Sequence, residues 1–196
     1  RAGKDDLHLR QAPLMTVVTE AAEPHAHRGK MVHYSHDPAT GFELKQPTIL
    51  RKPEIIHGLR NLVQNAVDFA KANVWVECHW TTEIISIRII DDGTGFPPHL
   101  LGRIGEPFVG RRKSSADRKA RPEYEGMGLG LFIAKTLLER SGAEISFANG
   151  PDPYANVPTP QSHTGAIVEV KWPREAIDAR QGNNAIPIGE NQRNVI

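Results

Sequence analysis

The run that most constrains this chain is Gly126-Met127-Gly128-Leu129-Gly130-Leu131, which leads without a break into Phe132-Ile133-Ala134-Lys135-Thr136-Leu137-Leu138. Three glycines at alternate positions strip the Cβ atoms from one edge of the backbone, and the apolar residues that follow fall at helical spacing. The segment therefore reads as a glycine-rich loop opening a helix. Such a start leaves N–H groups unpaired at the positive end of the helix dipole, which suits an anion, phosphate above all. The same glycines also serve where two backbones pack closely. On this run by itself both readings stand.

A basic, polar stretch precedes it. Residues 109–125 hold Arg111, Arg112, Lys113, Arg118, Lys119 and Arg121 without apolar periodicity, a composition that belongs to a functional lid or to disorder. That charge is local, because the whole chain of 196 residues has a formal net charge of +1, which gives no argument for nucleic acid or membrane binding. No apolar run is long enough to span a bilayer, and the chain does not start like a signal peptide. The single cysteine, Cys78, excludes an intrachain disulfide and a four-cysteine zinc site. The length suits one domain with tails.

The clearest helix covers 53–70, with Pro53 in its first turn. Ile55, Ile56, Leu59, Leu62, Val63, Ala66, Val67 and Ala70 share one face, and His57, Asn61, Asn65 and Asp68 share the other. A merely solvated face would carry Lys and Glu. Asparagine is a poorer helix former, so two of them one turn apart point to a function. Upstream, the spacing of Leu14, Val17, Val18, Ala21 and Ala22 predicts a helix over 13–28, ended or kinked at Pro24. Residues 1–12 read as a connection, 31–36 and 48–51 as short strands, and 37–41 as a turn. Downstream, 74–81 and 84–90 read as a hairpin whose second strand runs into Asp91-Asp92-Gly93-Thr94-Gly95. Ser141-Gly142 stops the glycine-led helix, and 144–148 and 166–172 are further strands around a Pro-rich insertion at 150–164. Beyond Pro173 the pattern fades, which reads as a frayed tail. Cys78 shares its strand face with Val76 and Trp80, the setting of a buried, inert thiol.

An Asn-bearing helix, an Asp-x-Gly-x-Gly turn and a Gly-x-Gly-x-Gly helix start thus follow in that order. With them the chain resembles, over about 53–172, the ATP-binding catalytic domain of sensor histidine kinases, within the GHKL superfamily that includes gyrase, HSP90 and MutL. Residues 59–66 resemble its N box, 91–95 its G1 box, Glu106-Pro107-Phe108 its F box and 126–131 its G2 box, while Thr164-Gly165 stands where such domains carry a last nucleotide-binding turn. The run 61–138 also resembles the redox-responsive RegB/PrrB type of kinase. The resemblance implies a two-layer α/β sandwich, the Bergerat ATP-binding fold, with a mixed sheet, helices on one face and a flexible ATP lid. It makes 1–12 a linker from an upstream dimerisation and phosphoacceptor domain, 13–173 the catalytic domain and 174–196 a flexible tail.

The ligands it implies are ATP and Mg2+. Asn65 can offer an amide oxygen to Mg2+, a hard cation that takes oxygen ligands and keeps several waters, and Asn61 one turn earlier can reach the metal or the phosphates. These two are the catalytic candidates. Asp91, acceptor-only when ionised, suits the exocyclic amine of adenine and rejects guanine's carbonyl; the other reading is a turn-forming Asx residue. Gly93 and Gly95 are expected to let backbone approach the base, and Phe69 to pack beside the adenine or in the core. Phe108, Arg111 and Lys113, then Gly126, Gly128, Leu129, Gly130 and Leu131, and finally Thr164 complete the expected nucleotide contacts, although a solvated charge run is the commoner explanation for any one lid cation. Asp68 departs from the family, many of whose members carry a basic residue three positions after the metal-binding Asn. Lys71 or the lid is expected to supply that charge instead.

Members that use water place a general-base Glu one turn before that Asn. Here the position is Asn61, and an amide cannot take a proton from water near neutral pH, which favours a kinase. A histidine kinase also needs an acceptor His followed by an acid on a dimerising helix. Of the nine histidines only His36 precedes an acid, Asp37, and its context is a turn; His25, His27 and His33 lack partners for a zinc site. The acceptor domain and any membrane sensor are therefore expected upstream of residue 1, in a homodimeric, membrane-anchored kinase. This part would lie in the cytoplasm, monomeric as a fragment, touching neither nucleic acid nor membrane, with phosphate passing on to a response regulator. The other reading is a nucleotide-gated binding module or an ATPase without phosphotransfer.

Overall fold

The computed structural model describes residues 10–38, 45–106, 127–150 and 165–180. Its elements follow in the order β1 (Gln11–Pro13), α1 (Leu14–Ala22), β2 (Met31–Pro38), β3 (Thr48–Leu50), α2 (Pro53–Phe69), β4 (Asn73–Trp80), β5 (Ile84–Asp91), α3 (Met127–Arg140), β6 (Glu144–Asn149), β7 (Ala166–Pro173) and α4 (Arg174–Ile177). Five strands form a mixed sheet in the order β2-β4-β5-β7-β6, in which only β2 and β4 run parallel. Strand alternation sets its two faces. Val74, Val76, Cys78 and Trp80 of β4 and Ile85, Ile87 and Ile89 of β5 join one core cluster with Leu14, Val17 and Val18 of α1, Leu59, Leu62 and Val63 of α2, and Leu131, Ala134 and Leu138 of α3. These helices therefore cover one face, and the fold is the expected two-layer α/β sandwich. The opposite face carries charge, where Arg88 of β5 lies 3.8 Å from Glu77 of β4.

The two long helices run in opposite senses, which sets where a site can form. Lys52, just before α2, donates to Ala176 O at 3.1 Å, and Trp172 Nε1 donates to the Ser141 hydroxyl just after α3 at 2.8 Å. The start of α2 and the end of α3 thus sit at the Trp172 end of β7. The end of α2 and the start of α3 point to the other end, where β5 finishes at Asp91. The helices approach closely at Gly58, where an added Cβ would stand 2.5 Å from Leu138 Cγ. Ser141 closes α3 by donating its hydroxyl to Leu138 O at 2.6 Å, and Gly142 follows at φ 94°, the left-handed stop expected of Ser141-Gly142.

Several expectations change. Helix α1 ends at Ala22, and Pro24 sits in a separate 3-10 turn, Glu23–His25, so the helix expected to reach 28 is broken as its proline requires. Residues 11 and 12, read as linker, pair with β3 in a two-stranded sheet, and Ala12 is buried. Strand β2 continues through Asp37 and Pro38, where a turn was expected, because β4 offers it partners as far as Trp80. Residues 174–180, read as tail, are docked: Ile177 is fully buried, Ala179 N–H donates to Thr48 O at 2.9 Å, and Arg174 pairs with Asp178 at 2.7 Å. A short stretch with one apolar anchor has no periodicity to read. The lid expected at 109–125 lies outside the described residues, as does the tail beyond 180.

Candidate functional site

The site gathers where β5 ends, α2 ends, α3 begins and β7 begins. Asp91 is its centre, only 2% exposed. Its Oδ1 accepts the N–H of Gly93 at 2.7 Å and of Ala166 at 3.2 Å, and its backbone carbonyl accepts the N–H of Gly165 at 2.9 Å. The Asx-turn reading is therefore correct as far as it goes, and one carboxylate oxygen serves it. Among the described residues no donor reaches Oδ2, and an ionised carboxylate oxygen can only accept. Burial pushes the Asp91 pKa up, against the pull of the Gly93 and Ala166 bonds and helped by the charge of Asp92.

Asp92 does the opposite work. Its Oδ1 accepts the N–H of Lys71 at 2.7 Å and of Ala72 at 3.0 Å, and its Oδ2 accepts the Asn73 N–H at 3.0 Å and Asn73 Nδ2 at 3.1 Å. Partial burial would raise its pKa, but these bonds, that of Ala72 foremost, hold it below the ordinary value. An ionised Asp92 thus fastens the exit of α2 to the end of β5.

The glycines of the turn also serve the protein's own packing. A Cβ on Gly93 would run into Phe69 O, and one on Gly165 would run into Asp91 Oδ1. Gly95 has φ 75°, and a Cβ there would stand 2.6 Å from Asn149 Oδ1. Asn149 clamps the same segment, accepting the Phe96 N–H at 2.7 Å and donating Nδ2 to Phe96 O at 2.8 Å. Sequence reasoning missed Asn149 as a support, since it looks like an ordinary strand-end residue, and placed Gly165 in a nucleotide-binding turn without its contact to Asp91.

Asn61 and Asn65 are half-buried on α2, neither with a hydrogen-bonded side chain among the described residues. Phe69 is half-buried and packs against the core. At the start of α3 the glycines lie inside the helix, since it begins at Met127, so Gly128 and Gly130 belong to its first turn and not to a loop. Among the described residues a Cβ on Gly130 would meet nothing within 4 Å. Leu129 is 67% exposed beside it. Leu131, expected to touch the nucleotide, is 1% exposed and belongs to the core. Phe108, Arg111, Lys113, Gly126 and Thr164 lie outside the described residues. Lys71 is exposed, while Asp68 is met by Arg28, whose Nη1 stands 2.9 Å from its carboxylate.

No group of three or more His, Cys, Asp or Glu able to hold a metal occurs among the described residues. The donors present fit a cation that brings its own phosphates and waters and takes one amide oxygen, as Mg2+ does. Cys78 is fully buried, and burial pushes its thiol up to about 12, so it holds no thiolate near neutral pH. No described helix is long and apolar enough to cross a membrane.

The fold agrees with the comparisons. Residues 51–176 match the family model described as histidine kinase-, DNA gyrase B-, and HSP90-like ATPase, and the chain belongs to this family as an ATP-binding domain of the sensor histidine kinase type. It is 58% identical over 191 residues to the sensor histidine kinase RegB of Cereibacter sphaeroides, an alignment that covers 97% of this chain and 41% of that protein. The chain thus spans less than half the length of this relative. Among solved structures it resembles a mycobacterial sensor histidine kinase, MprB, with a TM-score of 0.59 at 18% identity over 83% of this chain and 95% of that one. The catalytic domain of the histidine kinase ThkA gives a TM-score of 0.56 at 17% identity over 83% and 93%. At such identities these two speak for the fold alone.

Proposed function

We propose that this chain binds Mg-ATP between α2 and α3 and transfers the γ-phosphoryl group to a histidine on a separate dimerisation domain of the same kinase, for relay to a response regulator. The observation that carries the choice of kinase is Asn61. It occupies the place one turn before Asn65 where a water-using enzyme needs a carboxylate, and an amide does not accept a proton from water near neutral pH. In this reading Oδ2 of Asp91 accepts a hydrogen bond from the adenine amine, and the first turn of α3 turns its N–H groups toward the phosphates. Asn65 would hold Mg2+ through its amide oxygen, with Asn61 beside it, and the ion would supply charge neutralisation at the phosphates. The acceptor histidine nitrogen then forms a bond to the γ-phosphorus as the bond to the β–γ bridging oxygen breaks, releasing ADP. The chain's own contribution is positioning and charge neutralisation. Membrane anchoring and homodimerisation belong to the intact kinase in the same reading.

The test mixes this chain with the separate upstream domain and γ-labelled ATP. Acid-labile, base-stable label on that domain supports transfer. Nucleotide binding with no transfer to a competent acceptor would favour a nucleotide-gated module instead. Asn65→Asp is expected to abolish Mg-dependent ATP binding or transfer, and an unaffected variant would overturn the metal assignment.

A further inference from the structure

Asp68 sits where a polyanion would be repelled. It lies three residues after Asn65 on the polar face of α2, one turn beyond the proposed metal ligand. Arg28 Nη1 meets its carboxylate at 2.9 Å, with the two side chains 48% and 39% exposed. As a contribution to stability such a pair is worth little. Its geometry is nonetheless built in, because the segment carrying Arg28 is fastened to the end of α2 at successive points. Lys30 Nζ donates to Lys71 O at 2.7 Å, and the Met31 N–H donates to Ala72 O at 2.9 Å. On the other side the Arg28 N–H donates to His25 O at 3.4 Å. Burial, then the charge of Arg28, holds the His25 pKa down against the pull of Asp68, so the imidazole does not compete as a cation for that carboxylate.

We propose that Arg28 is a positioning residue for Mg-ATP, acting through Asp68: by neutralising that carboxylate it keeps the polar face of α2 from repelling the nucleotide's phosphates. The proposal rests on the reading of Asn61 and Asn65 as phosphate and metal contacts. Coulomb repulsion reaches across one helical turn and is weakened by salt, which separates this role from a merely structural one.

The experiment measures Mg-ATP affinity by calorimetry for the chain and for R28A, D68N and R28A/D68N, at low and high salt, with the nucleotide-free melting temperature of each as a control for folding. R28A is expected to weaken binding about three- to tenfold at low salt, with a smaller loss at high salt. D68N alone, which leaves Arg28 unopposed, should bind at least as tightly as wild type, and R28A/D68N should return to within about twofold of it. An R28A chain that binds as tightly as wild type would overturn the proposal, as would a loss that D68N does not repair. Tighter binding by R28A would also overturn it and make Asp68 a metal-facing carboxylate. A wild-type chain without Mg-ATP affinity would instead sink the reading of the site itself, and this proposal with it.

Discussion

Asp91 is almost fully buried, and among the described residues backbone N–H groups reach only its Oδ1, so holding it ionised is unfavourable. Its pKa is raised by burial in the folded state. The stability this group contributes is therefore present below its unfolded value and is lost as pH rises through its folded one. Asp91→Asn removes that pH dependence while its Oδ1 can still accept from Gly93 and Ala166. The nucleotide-free variant should melt at or above the wild-type temperature at pH 7, with the difference closing toward pH 4. Its affinity for Mg-ATP should nonetheless fall about 30-fold or more, because Nδ2 would present a donor to the adenine amine, a mismatch of about 2 kcal/mol. Thermal melts across pH and calorimetry check both halves, and an unchanged affinity would remove Asp91 from the adenine site. The sequence made Asp91 legible as an acceptor, since residue type fixes that. It could not tell that the glycines around it make room for Phe69 O and Asn149, because those contacts join segments far apart in the chain.

Helices α2 and α3 bring the asparagines and the glycine-led helix start to one end of the sheet, and their spacing depends on Gly58. The face of α2 was readable from periodicity: Ile55, Leu59, Leu62, Val63, Ala66 and Val67 are all buried. Which helix that face meets was not readable, because period carries no partner. Gly58 fell outside the apolar pattern, yet it sits at the crossing, buried, with Leu138 Cγ at 2.5 Å from where a Cβ would stand. Gly58→Ala should therefore overpack the crossing, gaining helix propensity but losing about 1–3 kcal/mol net in urea denaturation. Leu138→Ala in the same chain should recover part of that loss, so that the double variant is less destabilised than the two singles combined. Strict additivity would mean that the helices are not held apart at this point.

At the scale of the whole molecule, the sheet's far end is closed by residues that read as tail. Periodicity and turn composition gave the hairpin β4–β5 and the later strands, because each is local. The parallel pairing of β2 with β4, the pairing of β1 with β3 and the docking of 174–180 are long-range and leave no local mark. Arg174 is the key to the last of these. It is 8% exposed, with Nε donating to Asp178 Oδ2 at 2.7 Å and Nη1 donating to Thr81 O at 2.8 Å, while its N–H donates to Glu83 O at 2.7 Å. One side chain thereby ties the β4–β5 turn to the end of β7. Asp178→Ala leaves that guanidinium buried without its counter-ion, which should cost about 3 kcal/mol or more and lower the melting temperature by about 6–12 °C. Replacing both partners by apolar residues, Arg174→Met with Asp178→Leu, should cost less than Asp178→Ala alone, since the penalty lies in the unpaired charge. Mg-ATP affinity measured well below the melting range should be unchanged in both variants, because the pair stands at the end of β7 away from Asp91. A melt unaffected by Asp178→Ala would return 174–180 to the tail that its sequence suggests.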